Sequence, residues 1–305
     1  MNPFRGIALK LGSVAVFVAM ASLIKSASGV VPPGEAVFFR SAFAAPVILV
    51  WLASTGGLGS GLRTANPLGH FWRGLMGTLG MGLGFAGLGL LPLPEVTALG
   101  YAAPLLSVIF AAMFLGERVR AFRIIAVGVG LAGVIVVLSP RLTAFSAGGV
   151  GAAEALGAMV VLTGAVFAAL AQVFVRKLVA EETTSSIVFW FSITSALLGL
   201  LTLPFGWAMP DPWTAAKLVM AGLLGGVGQI LLTSSYRHAD TSVLAPFDYA
   251  SMLLAIGVGF FVFGEAPTWV VLAGAALIVA AGCLIIWRER QLGLERARQR
   301  ESMTP

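Results

Sequence analysis

Charge is scarce in this chain. Only 10% of its 305 residues are Asp, Glu, Lys or Arg, against about a quarter in an ordinary soluble domain. Too little polar side chain is present to cover a water-soluble particle, which excludes a soluble globular protein. Cysteine is nearly absent: Cys283 stands alone inside an apolar run, so an internal disulfide framework and a cysteine-based metal cluster are both excluded. The two histidines, His70 and His238, are far apart and lack metal-ligand spacing. No metal and no other cofactor is expected. The glycine-rich stretch from Gly80 to Gly89 lacks the lysine of a phosphate-binding loop, so any active transport has to be driven by a gradient or by exchange. Clustered acids, histidines or an activated serine are missing as well, and an enzyme is not expected.

What is there is apolar. Hydrophobic residues make up 58% of the chain, and the mean hydropathy is +0.97. About 20 apolar residues span the hydrocarbon of a bilayer. Ten such segments are expected, over 7–28, 35–54, 73–91, 94–116, 122–139, 153–175, 186–206, 214–236, 241–263 and 268–287. The basic start and the apolar run behind it look like a signal peptide. The run is long, and many more follow, so it reads as the first membrane helix. Short breaks such as Pro32-Pro33-Gly34, Pro92-Leu93-Pro94 and Pro210-Asp211-Pro212 act as helix stops. The longest breaks, 55–72 and 140–152, are too short for a soluble domain, and the charged tail from Arg288 reads as an interfacial or frayed helix.

The net charge of +6 does not point to nucleic acid, because the basic residues sit at the ends of apolar segments. They report orientation. With the N-terminus in the cytoplasm, 15 of the 19 Lys and Arg fall in or beside cytoplasmic stretches, Lys10, Arg73, Arg176 and the tail arginines among them. Arg141 and Lys217 are left outside, and Lys25 and Arg40 lie in outer helix segments. This bias predicts an N-in, C-in protein with an even number of spans.

A shift of 148 residues brings the two halves into register. Gly74, Gly77 and Gly80 fall on Gly222, Gly225 and Gly228; Tyr101 falls on Tyr249; Gly116-Glu117 falls on Gly264-Glu265. The shift covers five helices, an odd number, so the halves must enter the membrane from opposite sides, as in inverted-repeat transporters. The expected units are 1–145, 150–290 and a charged cytoplasmic tail, 291–305.

The stretch Leu91-Pro92-Leu93-Pro94-Glu95, followed by Ala98, Tyr101, Pro104 and Leu115-Gly116-Glu117-Arg118, resembles the EamA-type repeat of the drug/metabolite transporter superfamily. Phe38-Phe39-Arg40-Ser41-Ala42 resembles the arginine-bearing second helix of that repeat. The second copy is weaker: Phe191 takes the place expected for Arg40, and Asp240-Thr241-Ser242 replaces the Pro-Leu-Pro turn. The resemblance implies an all-α integral membrane protein of ten transmembrane helices, a 5+5 inverted-topology permease with a central cavity in a bacterial inner membrane. It specifies the scaffold well and the cargo poorly.

Ionisable side chains inside a membrane are functional candidates. Asp248 suits a substrate amine or a coupling proton; the alternatives are hydration near the cytoplasmic end or pairing with a nearby Arg. Arg40 suits a carboxylate or phosphate, against snorkelling or a salt bridge with Glu35 or Glu95. Lys25 is a substrate or gating charge, against snorkelling. Glu117 and Glu265 close helices, where an acid opposes the macrodipole, so a cap or ion pair is expected there. Tyr101, Tyr249, Trp190, Gln172 and Gln229 could line a cavity. The expected function is a secondary transporter for a small polar metabolite: an amino acid or derivative, a vitamin or a nucleotide-like cofactor. The alternatives are a lipid-carrier flippase of the same superfamily and, far behind, a membrane-embedded enzyme. The partners expected are the solute and the lipid bilayer, with a homodimer as the one protein assembly considered.

Overall fold

Proline and capping residues set where each apolar run starts and stops. In the computed structural model, all residues are described except 1–2, 116–120, 148–149, 180, 237, 239–243 and 304–305. The first span is α1 (Pro3–Ala27). The second is broken in two, α2 (Pro33–Ala42) and α3 (Ala44–Ser54), with Phe43 between them. Pro46 explains the break: it has no N–H to give the carbonyl four residues back, and its ring crowds that carbonyl. The fourth span breaks the same way. Between α6 (Leu93–Gly100) and α7 (Ala102–Leu115) lies Tyr101, three residues before Pro104.

A short turn, α4 (Leu58–Gly61), precedes α5 (Pro67–Leu90). Asn66 caps α5 by accepting the Gly69 N–H, and Pro67 takes the first helical position. Hydropathy alone starts this helix at 73. The earlier start puts His70, Trp72 and Arg73 inside it, because the cap overrides the polar residues that dilute the hydropathy there.

Then follow α8 (Ala121–Ala147), α9 (Val150–Leu178) and α10 (Thr184–Leu200). A 3-10 turn over Leu203–Phe205 leads to α11 (Pro212–Tyr236), where Asp211 accepts the N–H groups of Trp213 and Thr214. The seventh span therefore ends at Leu200, short of the expected 206. A second 3-10 turn, Ala245–Tyr249, opens α12 (Ala250–Phe263), and α13 (Trp269–Met303) carries the last span into the charged tail without a break. Asp248 thus lies in a 3-10 turn, whereas the expected ninth segment, 241–263, would place it about two turns inside a helix.

Among the described residues, seven of these spans are long and apolar enough to cross a membrane, and two shorter apolar helices, Ser185–Leu200 and Phe247–Phe263, join them. The glycine-rich α5 is the tenth. Among the described residues there is no strand. Large apolar side chains such as Phe261, Trp269, Leu253 and Ile124 stand exposed on the outside of the bundle. An apolar exterior of this kind is the surface of a multi-pass membrane protein.

The most extensive helix pairings are α5 with α9, α1 with α11, α8 with α13 and α2 with α10. Glycines make them close. A Cβ on Gly80 would lie 2.9 Å from the Ala168 nitrogen, and one on Gly164 would lie 3.1 Å from the Gly80 oxygen. Backbone therefore meets backbone where α5 crosses α9, the contact that small residues permit in membranes. Gly133 and Gly274 do the same where α8 crosses α13. Expected positions Glu117, Arg118 and Asp240 to Ser242 lie outside the described residues.

Candidate central cavity

The broken spans bring polar side chains into the middle of the bundle. A cavity of about 690 Å³ is lined by Lys10, Tyr101, Gln172, Arg176, Asp248 and Tyr249, with Ser251 beside them. A smaller one of about 220 Å³ shares Asp248 and Ser251 and continues along Phe17, Ala21, Leu93 and Thr97. Together they run from the end of the bundle that carries Arg176 towards the Leu93 turn.

Lys10 Nζ lies 2.7 Å from Asp248 Oδ1. The two ends of this pair differ: the Lys10 side chain is 2% exposed and that of Asp248 52%. The lysine is anchored between α1 and its neighbours, and the carboxylate faces the cavity. Behind it, the Ser251 hydroxyl donates to the Asp248 carbonyl at 2.7 Å and also contacts the Tyr101 hydroxyl. Since the serine proton is directed at the carbonyl, Tyr101 donates to Ser251. Tyr101 and Tyr249 meet edge to face, ring centroids 5.1 Å apart at 71°. Tyr249 in turn presses its hydroxyl against Gly282 of α13.

Beyond the smaller cavity, at the Leu93 turn, stands a second ion pair. Lys25 Nζ lies 2.9 Å from Glu265 Oε1 and donates to the carbonyls of Leu88 at 3.1 Å and Leu91 at 2.7 Å. Glu265 Oε2 accepts the Leu93 N–H at 2.8 Å. One ion pair therefore ties α1, the ends of α5 and α12 and the start of α6. Gly264 adopts φ +67°, a left-handed turn that glycine takes readily. It ends α12 so that Glu265 meets Lys25. Lys25 points inward as a largely buried ion-pair partner, and it compensates the acid at the helix end.

The side chains singled out in the sequence divide between places. Tyr101, Gln172, Asp248 and Tyr249 share the large cavity. Trp190 does not join them: its indole donates to the Leu62 carbonyl at 3.2 Å and packs near His70. Gln229 lines neither of the two cavities. Arg40 is buried among α2, α10 and α11, 5.7 Å from the Phe191 ring, and forms no ion pair with Glu35. Glu35 instead accepts the Ala208 N–H at 3.0 Å. Three contributors to the cavity are missed by sequence reasoning. Lys10 and Arg176 read there only as orientation charges, and a lone Ser251 has no signature at all.

A polar staple holds the loop before α5. Glu182 accepts from the Thr64 hydroxyl and the N–H groups of Ala65 and Asn66, and lies 3.6 Å from His70 Nε2. Burial pushes this carboxyl up, but the three hydrogen bonds and the nearby histidine outweigh it and hold Glu182 below its ordinary value.

The chain is similar to known proteins over most of its length. The model of the EamA-like transporter family matches residues 4–139 and again 155–287. The pseudopaline exporter CntI of Pseudomonas aeruginosa is 30% identical over 288 residues, covering 94% of this chain and 97% of that one. The riboflavin transporter of Rhizobium johnstonii is 31% identical over 259 residues, 85% and 82% of the two chains. An S-adenosylmethionine uptake transporter of Rickettsia bellii is 26% identical over 257 residues, 84% of each. One crystal structure aligns at a TM-score of 0.65 and 23% identity, over 94% of this chain and 98% of that one; it shows the fold. A multi-pass helical membrane protein with a polar central cavity, matched twice along its length by one family model, this chain belongs to the EamA-like transporter family and is a small-molecule transporter.

Proposed function

We propose that the chain is a secondary transporter that carries a small polar metabolite across a bacterial inner membrane by alternating access between two inverted five-helix halves. The observation that carries this reading is the pair of adjoining cavities that meet at Asp248 and Ser251 and reach from Lys10 to Thr97, with the Lys25–Glu265 pair beyond the Leu93 turn. In this reading the ion pair seals the far end, and a cavity open at one end and sealed at the other is one half of an alternating-access cycle.

Several observations support the inverted halves. The strongest helix pairings convert into one another when each span of the first half is exchanged for its counterpart in the second. Thus α1 with α11 becomes α9 with α5, while α8 with α13 and α2 with α10 return to themselves. Tyr101 and Tyr249, 148 residues apart, touch at the centre. The family model matches each half separately. The basic residues favour N-in and C-in, which makes the open end, near Lys10 and Arg176, cytoplasmic.

The cavity offers one carboxylate, two cations, two phenols and an amide. Such a set fits a zwitterionic or polar aromatic solute of the classes named for the relatives, and export and import are equally served by it. The test is a thermal-shift screen of the purified protein against amino acids, riboflavin, S-adenosylmethionine and nucleotide sugars, followed by flux of each hit into proteoliposomes. A ligand bound to the folded state raises the melting midpoint by mass action. A hit whose flux disappears in Asp248→Asn supports the reading. A hit that binds but never crosses the membrane overturns it.

A further inference from the structure

Away from the central cavity, two arginines stand inside the bundle, and neither meets an acid among the described residues. Arg40 of α2 is 3% exposed, and its Nε and Nη1 have no hydrogen-bond partner there. Arg73 of α5 is half-buried as a residue, but its Nε and Nη1 are themselves buried and likewise have no hydrogen-bond partner there. Both guanidiniums lie against one ring, that of Phe191 in α10, at 5.7 Å for Arg40 and 3.5 Å for Arg73. The Lys10–Asp248 and Lys25–Glu265 ion pairs and the His70–Glu182 contact involve neither arginine. The neighbouring Ser41 is fully buried, with its hydroxyl also unpartnered among the described residues.

Two like charges held beside one aromatic ring in a low-dielectric interior are costly, and arginine does not escape by losing its proton. An aromatic face attracts each cation but neutralises neither. Space is made for the cluster by glycines: a Cβ on Gly77 would lie 2.8 Å from Arg73 Nη1, and one on Gly225 would lie 3.2 Å from Arg40 Nε. These two glycines are 148 residues apart, so the cluster sits at matched places of the two halves.

We propose that Arg40 and Arg73 form an anion site between α2, α5, α10 and α11, taken by an oxyanion or halide. Unused N–H groups on a planar fork suit a carboxylate or phosphate group, and charge-assisted bonds to it relieve the two facing charges. This claim concerns binding alone and does not depend on which solute the central cavity carries.

The experiment uses the full-length protein in detergent, with ionic strength held constant by a large, weakly coordinating anion. Sodium chloride, inorganic phosphate, acetate and glycerol phosphate are titrated while the melting midpoint is followed. The wild type is expected to rise with at least one of them. Arg73→Gln is expected to melt no lower than wild type in the absence of added anion and to lose about tenfold or more in apparent anion affinity. Gly77→Ala keeps both charges but crowds Nη1, and is expected to lose affinity as well, which distinguishes a site from general screening. A response to chloride or inorganic phosphate alone assigns a free ion; a stronger response to acetate or glycerol phosphate assigns the acidic group of an organic solute. No midpoint shift in the wild type, or equal shifts in wild type and Arg73→Gln, overturns the proposal.

Discussion

Lys10 and Asp248 come from opposite ends of the chain and meet at 2.7 Å, with the lysine buried and the carboxylate half in the cavity. The asymmetry decides what each loss does. Asp248→Asn leaves an ammonium buried behind a neutral amide, whereas Lys10→Met leaves a carboxylate that water still reaches. Because Asp248 is half-exposed, the stability cost of Asp248→Asn is expected to be modest, about 1–2 kcal/mol. The effect on flux is expected to be large, tenfold or more, since Asp248 supplies the one carboxylate among the described residues lining the cavity. Melting midpoint in detergent and initial rate in proteoliposomes separate the two. Flux equal to wild type from about pH 5.5 to 8 removes Asp248 from any coupling role.

The Lys25–Glu265 pair stands at the other end of the path, and if it is the barrier there its loss is expected to open the path. Lys25→Gln releases Glu265 and the Leu88 and Leu91 carbonyls together. A cysteine placed at Thr97, in a Cys283→Ser background, reports the change. In the background protein, Thr97→Cys is expected to resist a membrane-impermeant thiol reagent applied from outside. Adding Lys25→Gln is expected to make it react several-fold faster. Equal rates show that the pair is not the barrier.

Much of this architecture is legible in sequence because prolines and caps act locally. Pro46 and Pro104 mark where the second and fourth spans break, and the 148-residue offset alone pairs Tyr101 with Tyr249. The polar cluster is harder to read. Lys10 and Arg73 each sit one or two turns inside a span, where hydropathy cannot tell a loop charge from a buried one. Residue type alone groups Trp190 and Gln229 with the tyrosines; which helix face each occupies is a tertiary matter, and the Leu62 carbonyl takes the indole N–H elsewhere. The Lys25–Glu265 pair depends on Gly264 turning Glu265 towards α1, a contact between opposite ends of the chain that no local pattern announces.

Glu182 gives a prediction in pH. Its carboxyl is held below its ordinary value of 4.5 in the fold. A depressed acid contributes stability that is fully present above the unfolded value and is lost as pH falls through the folded one. Glu182→Gln is therefore expected to lower the melting midpoint near neutral pH, with the difference from wild type shrinking once the pH drops below about 4.5. Midpoints taken at several pH values check the sign. A difference that grows on acidification contradicts the staple formed with Thr64, Ala65 and Asn66.

Gly282 tests whether the tyrosine pair matters to transport. A Cβ at this position would overlap the Tyr249 hydroxyl, closer than any relaxation of the ring in place allows. Gly282→Ala must push Tyr249 away from α13, and the edge-to-face contact with Tyr101 goes with it. Overpacking of this kind costs about 1–3 kcal/mol, within what a ten-span bundle tolerates, so the variant is expected to insert and fold. Transport is expected to fall several-fold with a raised KM, because the ring that walls the cavity has moved. The double variant Gly282→Ala with Tyr249→Phe removes the nearest clashing atom but leaves the ring carbon Cζ still overlapping the new Cβ, and is expected to recover only part of the lost stability. If flux returns with it, the wall needs only the aromatic face of residue 249. If stability returns and flux does not, the hydroxyl itself contacts the solute. A Gly282→Ala protein with unchanged KM and midpoint shows that the two tyrosines do not meet as described.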